Sequence, residues 1–323
     1  MSALYPMKLC APLKDYIWGG SKLKEEYGKV TDLPKVAESW ELSCHKDGQS
    51  VIVNGAYAGK TLNAFIEENG KQVLGSDCES FEYFPILIKL IDAKDNLSVQ
   101  VHPNNDYALK VEGEYGKTEM WYIVDCEPGA KLLYGFEKEI SKEEFAERIA
   151  NNTLLEVTKA VEVKKGDVFF IEAGTLHAIG SGILICEIQQ NSNTTYRIYD
   201  YGRVGNDGKP RQLHVEKAKD VTRLAPATRD WKPMGKPETR EGAIDTLLAT
   251  CEYFTVHELC LDGVLHENAD DKSFICYTCT DGAAVITAAE EKVEIKKGES
   301  VFIPAGMGAF TVEGKAALID SRV

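Results

Sequence analysis

The sequence predicts a mainly β protein with two barrels of similar build and small helical insertions. Its apolar segments are short, rich in Val, Ile, Phe and Tyr, and often end at Gly or Asn-Gly, which is the pattern of strands joined by tight turns. Residues 164–177 return 132 positions later as residues 296–309. A chain of 323 residues is long enough for about two domains. A repeat in a β-rich chain of this length indicates two related barrels.

Individual strands and helices follow from the periodicity of apolar residues. Three apolar residues share one face of a short helix predicted over residues 61–69: Leu62, Phe65 and Ile66. A second helix is predicted over residues 141–151, where Ser141 and Glu144 form a capping box. The strand candidates are residues 50–53, which close on Asn54-Gly55, and residues 161–163, 168–171, 183–188 and 293–303. Both helices are short enough to be insertions on a β scaffold.

The two copies of the repeat share Lys-Lys-Gly, an acidic residue, an apolar run and Ala-Gly, all in register. We interpret this unit as a charged turn, a strand and a glycine turn that reverses the chain at the mouth of a barrel. His177 in the first copy corresponds to Ala309 in the second. Any chemistry that depends on this histidine therefore belongs to the first copy alone.

The stretch between the two copies predicts a linker. Residues 223–242 contain three prolines among charged residues, a composition typical of irregular connections. We accordingly expect an amino-terminal domain over residues 1–235 and a carboxyl-terminal domain over residues 236–323.

The net charge of the chain argues against some classes of partner. Lys and Arg number 37 against 51 Asp and Glu, a net charge of −14, which repels phosphate backbones and anionic lipid at long range. Nucleic acids and membrane surfaces are therefore not expected partners. No apolar run approaches the roughly 18 residues needed to span a bilayer, and the amino end lacks the pattern of a signal peptide. We expect a cytoplasmic protein.

Cysteine usage agrees with a reducing compartment. The nine cysteines are an odd number and are scattered without a short-domain framework. The single Cys-x-x-Cys, formed by Cys276 and Cys279, has no second pair and no adjacent His. We interpret it as two thiols on opposite faces of a buried strand.

One short pattern carries metal chemistry. Gly166, Glu172, Gly174 and His177 are spaced as in the second motif of the cupin superfamily, which this segment resembles. The motif usually has Pro at the position of Glu172, and the second copy of the repeat keeps that residue as Pro304. The resemblance implies a cupin (jelly-roll) barrel in each half of the chain and a first cupin motif upstream of the second.

Three further residues fit that upstream motif. Gln100 and His102 are two positions apart on a predicted strand, so both side chains face the barrel interior. Glu119 follows after sixteen residues. Together with His177 they supply two imidazoles, one carboxylate and one amide oxygen. This ligand set suits a borderline divalent ion such as Zn²⁺, one per chain, with room for water or substrate.

Longer blocks resemble type I mannose-6-phosphate isomerase (phosphomannose isomerase) in its short bacterial form. They extend from residue 12 to about residue 215, and the remaining third resembles the metal-free carboxyl-terminal cupin of that family more weakly. The blocks are residues 84–93, 97–103, 117–122 and 166–179, Trp18-Gly19-Gly20, residues 38–43 and residues 187–203.

The resemblance implies both an activity and its residues. The family interconverts mannose 6-phosphate and fructose 6-phosphate, an aldose–ketose isomerisation through a cis-enediol(ate), and holds its zinc with residues that correspond to Gln100, His102, Glu119 and His177. It also implies that Arg197 is the catalytic arginine and Glu187 an active-site carboxylate. The substrate would be a small anionic sugar phosphate bound by a monomer or weak oligomer.

The reaction needs a base, a stabiliser for charge on the sugar oxygens and a hold on the phosphate. We predict Glu187 as the base, because burial beside apolar neighbours could raise the pKa of its carboxyl toward neutrality. Arg197 would stabilise the enediolate or the phosphate. We expect further substrate contacts from Lys117, Arg203 and Ser98.

Two other functions remain open at this point. A cupin oxygenase would hold Fe(II) with two His and one carboxylate and leave positions for O₂, but Gln100 as a fourth protein ligand argues against it. A non-catalytic double-cupin protein would bind the sugar phosphate without turnover. Formation of ketose from mannose 6-phosphate distinguishes these functions.

Overall fold

The computed structural model describes residues 4–205 and 208–323, and strands dominate it. In chain order the strands are β1 (Met7–Cys10), β2 (Leu13–Lys14), β3 (Glu38–Leu42), β4 (Cys44–His45), β5 (Gly48–Gln49), β6 (Val51–Ile52), β7 (Ile86–Ala93), β8 (Val99–Val101), β9 (Glu119–Cys126), β10 (Lys131–Phe136), β11 (Thr158–Glu162), β12 (Val168–Ile171), β13 (His177–Ala178), β14 (Ile183–Gln190), β15 (Tyr196–Tyr199), β16 (Glu238–Arg240), β17 (Ala243–Thr250), β18 (Thr255–Ala269), β19 (Ile275–Ala288), β20 (Glu291–Lys296), β21 (Ser300–Ile303) and β22 (Gly308–Arg322).

Helices are short and lie between strands. The α-helices are α1 (Lys22–Glu25), α2 (Leu62–Asn69), α3 (Asn105–Val111), α4 (Lys142–Ala150) and α5 (Val215–Val221), and short 3-10 turns cover Gly55–Tyr57, Lys71–Leu74, Ser76–Cys78 and Leu154–Glu156. The predicted mainly β class with small helical insertions is confirmed. Among the described residues, no helix is both long enough and apolar enough to cross a membrane.

Two sheets from the amino-terminal part of the chain surround the predicted site. One has the strand order β11-β10-β13-β8-β15 and the other β12-β9-β14-β7-β3-β2. Apolar side chains from both sheets share one core, among them Tyr134 from the first sheet and Trp121 and Phe169 from the second. Residues 100–102 and 177 therefore come from one sheet, and residues 119 and 187 from the other.

A nine-stranded sheet contains the carboxyl-terminal part of the chain. Its order is β16-β17-β18-β22-β19-β21-β1-β6, with β20 paired to β19. Strand β1, from the amino end, pairs with β21 in antiparallel register, Met7 opposite Phe302. One apolar core contains residues from both parts of the chain, including Leu90 and Phe302. Two amino-terminal strands thus cross the expected boundary at residues 235 and 236, which stays a prediction.

Most predicted strands are confirmed, with two corrections. The single strand expected over residues 293–303 is wrong: β20 ends at Lys296, and Gly298, with φ of +86°, turns the chain before β21. Asn54-Gly55 does not form a hairpin turn either. Asn54 instead precedes a 3-10 turn, and its Oδ1 accepts a hydrogen bond from the Lys8 backbone N–H at 2.7 Å.

The two predicted helices form as expected, and their caps explain where they begin. Thr61 accepts a hydrogen bond from the Ala64 N–H, and Ser141 accepts one from the Glu144 N–H at 3.1 Å. Only this half of the predicted capping box forms. The Glu144 carboxylate instead accepts from Arg148 Nε at 2.9 Å, a pairing of residues four apart along the helix.

The stretch expected to be a linker is mostly irregular, while its role as a domain boundary stays a prediction; the cysteine pair fits its prediction. Residues 223–242 are irregular except for β16. Glu172, at the cupin Pro position, accepts a hydrogen bond from Arg223 Nη1 at 2.6 Å and ties the linker to the end of β12. Cys276 and Cys279 are both buried free thiols in β19 and lie in two different apolar cores, which confirms opposite faces of a buried strand.

Candidate active site and metal centre

Strand register brings the predicted residues of the first sheet into one row. His177 on β13 is opposite Gln100 on β8, and Gln100 is also opposite Arg197 on β15. His102 follows the last residue of β8. Because directly opposed residues project to the same face of a sheet, these side chains approach the interior together.

A second row crosses the facing sheet. Trp121 on β9 is opposite Glu187 on β14, Glu187 is opposite Lys89 on β7, and Lys89 is opposite Trp40 on β3. Trp121 Nε1 donates a hydrogen bond to Glu187 Oε2 at 2.8 Å, and Lys89 Nζ lies 3.3 Å from Glu187 Oε1. The six-stranded sheet thus supplies a buried carboxylate with a cation beside it.

The two imidazoles meet with their Nε2 atoms 3.1 Å apart. His102 Nδ1 donates to the Thr194 carbonyl at 3.0 Å, and His177 Nδ1 donates to the Thr175 carbonyl at 2.8 Å. A carbonyl can only accept, so each neutral ring carries its proton on Nδ1 and turns the lone pair of Nε2 toward the other ring. Burial lowers the pKa of both rings, that of His177 to about 3, which keeps them neutral.

Glu119 completes a buried cluster. Its Oε1 lies 3.4 Å from His177 Nε2 and its Oε2 3.7 Å from His102 Nε2. Neither oxygen accepts a hydrogen bond of good geometry, although Lys117 Nζ approaches Oε2 to 2.7 Å. Burial and the neighbouring charge of Glu187 raise the pKa of Glu119 to about 8. The pKa stays raised although Lys117 lies beside Glu119, so the buried carboxylate form needs further positive charge.

This donor set fits a divalent metal. His102, Glu119 and His177 offer ligand atoms that all lie within 4.8 Å of one another, and all three residues are buried. Two nitrogens bound at about 2.05 Å to one tetrahedral zinc ion lie roughly 3.3 Å apart, close to the observed 3.1 Å. Two facing lone pairs with no proton between them repel each other, and a cation between them removes that repulsion.

Gln100 reaches the same cluster through its amide. Its Nε2 lies 3.3 Å from His177 Nε2. A 180° flip of the amide, which exchanges its nitrogen and oxygen, would turn the oxygen toward the imidazole pair. Gln100 is therefore placed to add an oxygen ligand.

A cavity of about 270 Å³ opens beside this cluster. Five of the predicted site residues line it: Ser98, Gln100, Lys117, Glu187 and Arg197. Lys117 and Gln100 lie between the cavity and the imidazole pair, since Lys117 Nζ is 3.3 Å from His102 Nε2. The cavity and the metal cluster thus form one continuous polar site.

The surroundings of Glu187 correct one expectation. Burial alone would raise the pKa of its carboxyl, but Lys117, Lys89 and the Trp121 N–H lower it to about 2. The expectation of a pKa raised toward neutrality by apolar neighbours is therefore wrong. The sequence did not reveal that two ammonium groups from other strands face this side chain. Glu187 is an ionised carboxylate at neutral pH.

The predicted cations differ in how they are placed. Arg197 Nε donates to Ser98 Oγ at 3.3 Å and Arg197 Nη1 donates to the Gln212 carbonyl at 3.0 Å, which holds the guanidinium at the cavity. Arg203 instead pairs with Asp200 at 2.5 Å and is not among the residues that line the cavity. Arg211, which pairs with the same Asp200, does line it.

Sequence reasoning missed several cavity residues: Tyr16, Trp18, Glu38, Lys89, Asn193, Thr195 and Arg211. Lys89 did carry a signal, because it follows three apolar residues within β7, whose eight residues are all buried. A buried Lys requires a buried partner, and here the partner is Glu187.

Comparison with known proteins places the chain in a family. The profile described as phosphomannose isomerase type I, catalytic domain, matches residues 7–124, and the profile described as mannose-6-phosphate isomerase, cupin domain, matches residues 243–323. Mannose-6-phosphate isomerase ManA of Bacillus subtilis is 39% identical over 311 residues, 96% of each chain. The mannose-6-phosphate isomerase of Streptococcus mutans is 36% identical over 320 residues, 98% of each chain.

A solved structure agrees with these sequence relatives. The crystal structure of the mannose 6-phosphate isomerase from Bacillus subtilis superimposes with a TM-score of 0.91 at 34% identity, covering 98% of this chain and 99% of that one. The mainly β fold and the buried His and Glu cluster define a cupin-type protein with a candidate metal centre. The chain belongs to the type I mannose-6-phosphate isomerase family, whose members are metal-dependent aldose–ketose isomerases.

Proposed function

We propose that this protein interconverts mannose 6-phosphate and fructose 6-phosphate with one bound zinc ion. The observation that carries the proposal is the buried cluster of His102, Glu119 and His177 beside a cavity lined by basic side chains. The reaction moves a proton between C2 and C1 while the carbonyl moves from C1 to C2. It needs no second substrate, which suits a small cavity.

The metal ligands in this proposal are Gln100, His102, Glu119 and His177. When bound, zinc polarises or positions the sugar oxygens that carry charge in the enediolate. Lys117 lies 2.7 Å from Glu119 Oε2 and 3.7 Å from Glu187 Oε1. Its ammonium group supplies positive charge where charge on the sugar oxygens develops.

Glu187 is the proposed base. Its carboxylate accepts the proton from C2 of mannose 6-phosphate and returns it to C1, while the hydroxyl proton of O2 passes to O1, so that no proton is gained or lost over the cycle. Lys89 and Trp121 hold the carboxylate by an ion pair and a hydrogen bond. His102 suits this role less well, because its lone pair faces the metal position.

The phosphate would bind at the arginine side of the cavity. Arg197, Arg203 and Arg211 gather around the single carboxylate of Asp200, so three guanidinium groups and one carboxylate leave two positive charges. This local excess opposes the net charge of −14 of the whole chain. Ser98 orients Arg197 through its hydroxyl, and a forked guanidinium suits a phosphate or an enediolate.

We also propose two cupin barrels, over residues 1–235 and 236–323, with the metal in the first. The second would support the first through the shared apolar core and the pairing of β1 with β21. A protein truncated at about residue 235 should therefore lose its fold and its activity. A truncated protein that stayed folded and active would contradict the proposed support.

Incubation with mannose 6-phosphate in ²H₂O tests the function. We expect fructose 6-phosphate to form with deuterium at C1, because the transferred proton exchanges with solvent on the base. Chelation should abolish turnover, and added Zn²⁺ should restore it. A protein that binds mannose 6-phosphate without forming ketose would be a binding protein, and O₂ consumption with Fe(II) would indicate an oxygenase.

A further inference from the structure

The two imidazoles of the metal centre differ in what holds their outer nitrogen. His177 Nδ1 donates to the carbonyl of Thr175, two residues earlier in the same turn. His102 Nδ1 donates to the carbonyl of Thr194, which is 92 residues later in the sequence. The partner of the outer nitrogen fixes the tautomer and the direction of the metal-binding nitrogen. The orientation of His102 therefore depends on a distant part of the chain.

That part of the chain is irregular. Residues 191–195 connect β14 to β15 and have no strand partner of their own. The Asn191 N–H donates to the Pro85 carbonyl at 2.8 Å. Side chains add to this backbone contact: Gln189 Nε2 donates to the carbonyls of Gln190 at 2.8 Å and Ser192 at 2.6 Å. Ser192 Oγ accepts from the Thr194 N–H at 3.2 Å. The side chain of Gln189 on β14 thus holds Ser192, in the first half of the segment.

Two carboxylates hold the second half of the segment: Asp47 Oδ2 accepts a hydrogen bond from Asn193 Nδ2 at 2.8 Å, and Glu114 contacts both Asn193 and Thr194. Glu114 Oε2 accepts from the Asn193 N–H and from Thr194 Oγ1, both at 3.4 Å. Its Oε1 is paired with Lys46 Nζ at 2.5 Å, and His45 Nε2 lies 3.7 Å from Oε2. One carboxylate therefore contacts the residue whose carbonyl orients His102.

Polar contacts surround the Glu114 side chain, which is 19% exposed. It lines a separate cavity of about 640 Å³, together with His45, Tyr115 and Asn191. A side chain at the wall of a cavity keeps its position through its polar partners. Replacing Glu114 therefore removes hydrogen bonds and charge without opening a hole in an apolar core.

We propose that Glu114 is a positioning residue of the metal centre, which holds Asn193 and Thr194 so that the Thr194 carbonyl orients His102. The inference rests on the proposed metal site. Glu114 belongs to the loop after α3 and is not among the residues that line the catalytic cavity. It acts on the metal only through Thr194 and His102.

Zinc affinity tests the proposal, measured by competition with a coloured chelator on the full chain. Loss of an outer-shell partner typically weakens metal binding about 10–100-fold. Glu114→Ala only loosens that partner, the Thr194 carbonyl, so it should raise the Kd for Zn²⁺ by a measurable factor within that limit. Glu114→Gln keeps an acceptor and should fall between Ala and wild type. Lys46→Met removes the exposed ion-pair partner but leaves the acceptor, and it should bind zinc as wild type does.

A second measurement separates positioning from general destabilisation. In the metal-free protein, the imidazole NMR signals of His102 should shift in both Glu114 variants, and by more than those of His177, whose ring lies against that of His102. If wild type binds zinc and Glu114→Gln and Glu114→Ala bind it equally well, the inference is wrong. Should Glu114→Ala fail to fold, Glu114→Gln alone decides. A wild-type protein that binds no zinc would overturn the proposed metal site itself, and this inference with it.

Discussion

The two copies of the repeated segment have similar backbone conformations but different surroundings. Strands β12 and β21 are fully buried and occupy the same place in the repeat. Gly166 and Gly298 precede them with φ of +88° and +86°, and Gly174 and Gly306 follow with φ of +86° and +75°. Three residues after the second glycine, His177 is completely buried in a polar site, whereas Ala309 is exposed on β22.

The side chains around the two copies also differ in polarity. The apolar core beside β21 contains Leu259, Tyr277, Val301 and Phe310, whereas the sheet facing His177 supplies Glu119, Glu187 and Lys89. The repeated segment therefore specifies a turn, a strand and a second turn, and the rest of each region decides whether a site forms there. Four predictions test this difference between the two regions.

The largest effect is expected at the position where the copies differ most. His177→Ala removes a direct ligand, so it should weaken zinc binding by more than the roughly 10–100-fold expected for an outer-shell partner and abolish isomerase activity. Ala309→Gly should leave metal content and turnover unchanged. Metal analysis and a ketose assay on both variants check this. If the His177→Ala protein kept its full metal content, the metal would not bind at the proposed site in the first region.

Glu187→Gln should come next. Loss of the base should lower turnover by about 10²–10⁴-fold, with zinc still bound, because Glu187 is not a proposed ligand. Isomerisation and exchange of the C2 proton of mannose 6-phosphate are the measurements, with Glu290→Gln on an exposed turn of the second region as control. Near-wild-type rates of both processes in Glu187→Gln would exclude it as the base.

Replacing the first glycine of each copy by alanine should lower the free energy of unfolding by different amounts in the two regions. At Gly166 a Cβ meets nothing within 4 Å, so Gly166→Ala should cost only the left-handed backbone, about 1–2 kcal/mol. At Gly298 a Cβ would lie 2.1 Å from the Tyr27 carbonyl oxygen, and overpacking adds about 1–3 kcal/mol. In urea unfolding, Gly298→Ala should therefore have a lower free energy of unfolding than Gly166→Ala. Equal losses would contradict the close packing of the second copy against Tyr27.

The last expected effect is the pH dependence of stability that Glu187 confers on the metal-free protein. Burial opposes its ionisation, but Lys117 and Lys89 lower its pKa to about 2, against about 4.3 in the unfolded chain. As the pH falls, the unfolded state takes up the proton first. This contribution is complete above about pH 4.3 and is lost toward pH 2, by at most about 1.4 kcal/mol per pH unit.

Urea unfolding with chelator present checks this, at pH values between about 5 and 3. The difference in unfolding free energy between wild type and Glu187→Gln should narrow with acid. A difference that stays constant would mean that the pKa of Glu187 is not lowered.

Local pattern predicted much of the fold. The helix starts at Thr61 and Ser141, the strands at residues 168–171 and 183–188 and the opposed cysteines of β19 all depend on neighbours in sequence, and the structure contains them. The strand expected over residues 293–303 was wrong, because an apolar run cannot show where a left-handed glycine divides it. Asn54-Gly55 forms no hairpin turn, because the Asn54 side chain bonds instead to the backbone of β1, which is far away in the sequence.

Sequence by itself also determined which side chains could bind a metal. Gln100 and His102 alternate on one strand, and the spacing to Glu119 and His177 follows a recognisable motif. Only the tertiary structure decided what surrounds Glu187 and His102. Lys89, Lys117 and Trp121 reach Glu187, and Thr194 reaches His102, across strands and loops that are far apart in the chain. The register between strands that are distant in sequence sets these contacts. The contacts in turn lower the pKa of Glu187 and orient the His102 imidazole toward the metal position.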